Sequence, residues 1–259
     1  MHTRALVRSL CLGLGAALSF FQPDAGADPV AYAQQADGVY VRIDFGAGTT
    51  DTIGPLTQYF FVGAFAGDDF SKEYVIEYSS GDLYSIDTTT AETTLIGPTG
   101  IGDETLAAMQ WDPVNNYMLL MTDYSSCDGG VFYALDITTG AAQLIGSHAG
   151  CLVGFAFDAN DNAFSIDVAA DTLVELGTGT IGPLGFDVAL ISALFFDPAT
   201  WELYLIAADV DTASNDMDVV DTTTGQATLV APWPDQYSAF ALVNPGSDTD
   251  TVFANGFEL

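Results

Sequence analysis

The chain has 259 residues, of which 35 are acidic and 4 basic, giving a formal charge of −31. Because 49% of residues are hydrophobic and only 15% are charged, there is ample apolar material for a core, and the chain is not a disordered polyanion. Nucleic acid and anionic membrane surfaces are excluded as partners, since the chain has almost no cations to displace their counterions.

At the N-terminus, Arg4 and Arg8 precede an apolar stretch from Leu10 to Phe21, then Gln22-Pro23-Asp24 and the small residues Ala25-Gly26-Ala27. A basic start, a short apolar run and an A-x-A-like end predict a secretory signal peptide over 1–27. Ala33, after Ala31-Tyr32, is the second cleavage candidate. The apolar run is too short to span a bilayer, and nothing comparable follows, so the mature chain is expected to have no membrane span. Without residues 1–27 the only cations are Arg42 and Lys72, and His148 is the only histidine. That shortage excludes a His-rich zinc site and a Lys or Arg phosphate clamp.

Residues 28–37 read as a linker, after which one unit recurs: an apolar-aromatic strand ending in Asp, a Thr/Gly turn and a second short strand. It runs GVYVRIDFGAGTTDTIG at 38–54, DLYSIDTTTAETTLIG at 82–97 and VFYALDITTGAAQLIG at 131–146. It returns, shortened, as DTLVELGTGTIG at 171–182 and again as MDVVDTTTGQATLV at 217–230. A second unit interleaves, an apolar strand ended by an aromatic-Asp turn: LAAMQWDP at 106–113, LVGFAFDA at 152–159 and ISALFFDP at 191–198, with weaker members at 61–69 and 237–245. Both registers repeat every ~40–50 residues, the period of a β-propeller blade of four short strands.

The expected fold is therefore all-β, a five-bladed propeller, with six blades the alternative if an irregular unit hides in 55–80. A representative blade takes strand A from 152–157, B from 163–167, C from 172–176 and D from 180–184. The propeller is assigned to 38–253, with N- and C-terminal strands sharing one blade to close the ring and hide a sheet edge. Asp250-Thr251-Val252-Phe253 is the expected B strand of that blade, and 254–259 is left as a tail.

In such a meander the D–A and B–C connections share one face. Cys127 and Cys151 fall on it in adjacent blades, and a disulfide between them is the expectation in an oxidising compartment. The rival reading, a Cys151 nucleophile assisted by His148, is outweighed because the second cysteine offers a bridge. Strand B ends in Asp123, Asp167 and Asp209 in successive blades, and the D–A connections add Asp103, Glu104, His148, Asp187 and Asp235. The loop AADVDTASNDMD gathers Asp209, Asp211, Asp216 and Asp218, hard oxygen ligands that suit Ca²⁺. Trp233, between Pro232 and Pro234, is the candidate binding aromatic. Asp112, Asp158 and Asp197, before Pro or Ala, read as Asx-type turns and not as a ligand series.

No catalytic set is nominated: there is no G-x-S-x-G element, no P-loop and no G-x-G-x-x-G fingerprint. The units LYSIDTTTAETTLIG and FYALDITTGAAQLIG resemble the repeats of bacterial secreted propellers of the quinoprotein-like and YVTN- or NHL-like kind. VFANGFEL at 252–259 resembles a Phe-x-x-Gly-Phe-Glu tail of some Gram-negative secreted proteins. The resemblance implies a secreted or periplasmic protein. The expected function is a monomeric, non-catalytic scaffold that binds an extracellular ligand or protein, its loop acids either holding a stabilising Ca²⁺ or only capping turns and keeping an apolar chain dispersed. The alternative is a propeller enzyme of hydrolase, lactonase or cyclase type using loop carboxylates at the central channel.

Overall fold

The computed structural model describes residues 30–45, 47–67, 69–101, 105–112, 117–123, 126–160, 162–197, 200–210, 215–232 and 237–243. They form five sheets of four antiparallel strands each, the blades of a propeller. Blade II holds β4 (Phe60–Ala66), β5 (Asp69–Glu77), β6 (Asp82–Asp87) and β7 (Thr93–Pro98), and blade III holds β8 (Thr105–Asp112), β9 (Tyr117–Asp123), β10 (Gly130–Leu135) and β11 (Ala142–His148). Blade IV is β12 (Leu152–Phe157), β13 (Ala163–Asp167), β14 (Thr172–Glu175) and β15 (Gly179–Pro183). Blade V is β16 (Val188–Phe196), β17 (Leu203–Asp209), β18 (Asn215–Val220) and β19 (Ala227–Pro232). The region 55–80 is taken up by ordinary blade strands, so the count is five among the described residues.

Blade I closes the ring, in the order β20 (Tyr237–Val243), β1 (Val30–Gln35), β2 (Val39–Asp44) and β3 (Thr49–Pro55). The shared blade is as expected, but its second strand is β1, cut from the stretch read as a linker over 28–37. Residues 250–253, expected in that position, lie outside the described residues, as do 1–27 and the tail. Ala31 and Ala33 explain the strand: both are fully buried, and their short side chains let β1 lie against β20 and β2 in a crowded cluster with Val41 and Ile43. In VAYAQQ the residues facing inward are short alanines and Gln34, beside Val30 and Tyr32, so hydrophobic alternation is weak and the strand is illegible in the sequence.

Each blade buries both faces against its neighbours, and an apolar cluster fills each seam. Tyr40, Phe60, Val75 and Ile86 pack between blades I and II, for example, and Phe164, Phe196, Leu203 and Leu205 between IV and V. The C–D turns lock the outer rims. In DTTTA, DITTG and DTTTG the aspartate Oδ1 accepts the amide of the second following residue, at 2.8 Å for Asp87, 2.8 Å for Asp136 and 2.7 Å for Asp221. The fifth residue is left-handed in all three, at φ 60° for Ala91, 84° for Gly140 and 82° for Gly225. Each turn tucks beneath a glycine in the outer strand of the preceding blade: a Cβ on Gly97 or Gly182 would collide with the carbonyl of Thr139 or Thr224. The Ile-Gly-Pro of the repeat is thus an inter-blade contact point. Among the described residues no helix is long and apolar enough to cross a membrane.

Candidate functional site

The five inner strands begin on the face that carries the D–A and B–C connections. All five slip register against their second strands near that end, for example between Phe60 and Val62, Leu106 and Ala108, and Val153 and Phe155. Such bulges bend a strand and increase its twist, and here they splay the ring open. A small residue follows at a recurring position: Gly63, Ala108, Gly154, Ala193 and Ala239. The first four line a cavity of about 110 Å³ at the ring centre, walled by apolar side chains such as Met109, Phe155, Ile191 and Leu194.

Tyr59 and Phe61 reach from the β3–β4 connection and β4 into the cavity wall, and Tyr78 meets the first edge-on and the second tilted, with ring centroids 6.0 and 5.8 Å away. Tyr59 and Tyr78 are 44% and 65% exposed, so the mouth presents aromatic surface to solvent. These residues were not among the sequence candidates. The small third residue of the units FVGAF, LAAMQ, LVGFA, ISALF and YSAFA was the available signal, since a ring of missing side chains on inner strands leaves a hole at the axis.

Acids surround this mouth. Glu77, Asp123, Asp167, Asp187 and Asp209 all sit at strand ends or connections of this face. Arg42 and Lys72 lie at the opposite end: Arg42 contacts Asp44 and Asp51, and Lys72 pairs in register with Asp87 at the end of β6. The described part of the face therefore carries carboxylates with no lysine or arginine among them.

The expected disulfide forms. Cys127, in the β9–β10 connection, joins Cys151 at the start of β12 with Cα atoms 4.4 Å apart, tying blade III to blade IV. His148 lies beside it, its Nε2–H donating to the Thr122 carbonyl at 2.9 Å and its ring against Phe132. Gly130 makes room for this, since a Cβ there would strike both the Thr122 carbonyl and the imidazole. Asp123, Cys127 and Cys151 are the one group among the described residues whose ligand atoms lie within 4.8 Å of one another. The disulfide uses both sulfurs, so the group offers no thiolate pair to a metal.

The candidate calcium acids divide. Asp216 pairs with Ala207 and Asp218 with Leu205, so cross-strand register puts them on the same face of blade V as Asp209. Burial, and then the Asp216 and Asp209 carboxylates, push the Asp218 carboxyl up to about 6. A set of like charges held this close favours a cation, although these three do not converge within 4.8 Å. Asp187 is exposed at the start of blade V, its carbonyl accepting the Val210 amide at 2.9 Å. Asp103, Glu104, Asp211, Trp233 and Asp235 lie outside the described residues. On the far face, Asp158 accepts the amides of Asn160 and Asn162, and Asp197 accepts the Thr200 hydroxyl, as turn-capping aspartates should.

No family model and no curated protein sequence matches the chain. Solved structures do. A chain of a nidogen/laminin complex aligns at TM-score 0.56 and 12% identity, covering 83% of this chain and 98% of that one. A Bacteroides caccae protein of unknown function aligns at 0.53 and 9%, with the same coverage. A regucalcin from Agrobacterium tumefaciens, titled a calcium-binding protein, aligns at 0.47 and 15%, covering 81% of this chain and 74% of that one. The first two share the fold. At these identities they show nothing further, and the third likeness is too low to carry an argument.

Proposed function

We propose that this chain is an exported, non-catalytic β-propeller that binds a ligand or protein through the face carrying Cys127, His148 and the channel mouth. The observation that carries the reading is the mouth itself: an apolar cavity with exposed tyrosines at its rim, which supplies shape and stacking surface. None of the described cavity-lining residues is Asp, Glu, His or Cys, so the wall brings no carboxylate pair to bear on a bond in the way glycoside hydrolysis requires. The nidogen/laminin chain that shares this fold comes from a protein–protein complex, and a protein-binding role of that kind is the one proposed here.

Export is supported by the signal-like segment 1–27 and by the Cys127–Cys151 bridge. Cleavage after Ala27 leaves β1 whole, whereas cleavage after Ala33 removes most of it. Ca²⁺ belongs to the proposal as a stabiliser near Asp209, Asp216 and Asp218; Asp211, the fourth acid of that loop in the sequence, lies outside the described residues.

The test is a titration of the mature protein with short basic, acidic and neutral peptides at low ionic strength, followed by intrinsic tyrosine fluorescence. Binding by one class that is lost in Tyr59→Ala/Tyr78→Ala supports the reading. Binding that survives this double change, or that no class shows, contradicts it.

A further inference from the structure

We propose that the cavity takes a lysine side chain presented by a basic segment of a partner protein, with the Ser238 hydroxyl on the wall receiving its ammonium group and the buried Glu73 carboxylate, behind the Gly63 backbone, facing its charge. This rests on the binding role proposed for the mouth and names the ligand.

Glu73, on β5, is fully buried in the seam between blades I and II. Its Oε2 accepts the Tyr40 hydroxyl at 2.5 Å, and its Oε1 has no hydrogen-bond partner. Oε1 lies in the slot between the inner strands β4 and β20, against Gly63. A Cβ on Gly63 would overlap Oε1 and come within 3.0 Å of the Ala239 carbonyl. Gly63 is itself part of the cavity wall, so only a glycine backbone separates the carboxyl from the channel. Ser238, one residue before Ala239 and also on the wall, has a buried Oγ with no partner. The Ser238 Oγ on the wall and the Glu73 Oε1 behind Gly63 are two unpartnered buried oxygens, costly unless something comes to satisfy them.

Several features select the occupant. The cavity of about 110 Å³ is smaller than the roughly 150 Å³ that admits benzene, which suits about five non-hydrogen atoms. A lysine side chain, four methylenes and a nitrogen, enters with its stem along apolar wall and its charge at the far end. A bare divalent cation asks for six or more oxygens, which the wall does not supply, and the five donors of an arginine guanidinium would meet the single hydroxyl of Ser238 on an otherwise apolar wall. At the mouth, Tyr59, Phe61 and Tyr78 favour a cation passing over their ring faces. The surrounding carboxylates, with no lysine or arginine among them, draw in the rest of a basic segment.

Binding is coupled to a proton. Burial holds the Glu73 carboxyl well above its ordinary range, opposed only by the Tyr40 hydrogen bond. Tyr40 bonds it directly, Tyr32 from blade I and Tyr84 from β6 pack in the same seam, and Asp87 at the end of β6 acts on Tyr40. β4 carries none, and Tyr237 of β20 lines the cavity beside Ser238 while packing against Ala31 and Val41. Without a cation, burial favours the protonated form. An arriving ammonium stabilises the carboxylate, and the proton leaves to solvent.

The experiment is isothermal titration of the mature protein with a basic peptide containing one lysine, and with the same peptide carrying norleucine there, each in two buffers of different ionisation enthalpy. The lysine peptide should bind at least about tenfold more tightly, the worth of a hydrogen bond to a charged group, and release a proton. Glu73→Gln should abolish the release and the preference, while Ser238→Ala should reduce the preference and leave the release. Equal affinity for the two peptides, with the dependence on Tyr59 and Tyr78 retained, overturns the lysine proposal alone. Absence of binding by either peptide overturns it together with the binding role of the face.

Discussion

Glu73 shows how one buried side chain makes stability depend on pH. Its carboxyl is raised by burial in the folded state and ordinary in the unfolded chain, so between those two values the native state holds more protons. Stability is full below the ordinary glutamate range and falls as pH rises toward the folded value. Glu73→Gln keeps a group that can accept the Tyr40 hydroxyl and removes the ionisation. Urea unfolding from pH 5 to 8 should show wild type losing stability with rising pH, and Glu73→Gln losing distinctly less, the remainder near pH 6 belonging to Asp218. Matching slopes in the two proteins would contradict the account. The turn aspartates have the opposite sign. The Thr89 hydroxyl and amide hold the Asp87 carboxyl at about 2, and Thr138 and Thr223 lower Asp136 and Asp221 likewise, so their contribution is lost only in strong acid.

Among elements, the C–D turns make the repeat mechanically meaningful. Gly140 and Gly225 occupy the left-handed position that blade II fills with Ala91 at φ 60°. An L residue there costs about 1–2 kcal/mol, so Ala91→Gly should raise unfolding free energy by about 1 kcal/mol after the flexibility added to the unfolded chain. A neutral or destabilising result in urea would show that the turn is not strained. The Cys127–Cys151 bridge closes a loop with sequence separation 24. Its removal as the double Ser variant should cost about 3 kcal/mol, read by the same method. Most of these elements were legible because Asp-Thr-Thr turns and aromatic-Asp turns punctuate strong alternation. β12 to β15 fall nearly where 152–184 was divided. β1 was not legible, because Ala31, Ala33, Gln34 and Gln35 carry little apolar contrast. Gln34 is nevertheless buried, donating to the Gln58 carbonyl and accepting the Phe60 amide, each at 2.8 Å. The cavity was missed for a related reason: it is made by what Gly63, Ala108 and Gly154 lack, and composition does not advertise a missing side chain. The acidic face and the disulfide were legible because loop order alone fixes which connections share a face.

For the whole molecule, a formal charge of −31 on a chain of 259 residues is a standing self-repulsion. It keeps an apolar protein dispersed and opposes compactness. Monovalent salt, with a screening length of about 8 Å at physiological ionic strength, should raise the thermal midpoint steadily. Ca²⁺ at matched ionic strength should add a further rise that Asp209→Asn/Asp218→Asn removes. A midpoint insensitive to salt would mean the charges are spaced widely enough not to matter.

The central claim is that the channel mouth between the D–A and B–C connections is where this propeller meets its ligand. Amide chemical-shift mapping of the mature protein, titrated with the lysine-bearing basic peptide at low ionic strength, tests it most directly. The account predicts saturating shifts concentrated at Phe61, Gly63, Tyr78 and Ser238, with residues such as Thr89, Thr138 and Thr223 on the far rim unmoved. Shifts spread evenly over both faces, or centred on the far rim, would contradict it and reduce the acidic mouth to solvated surface.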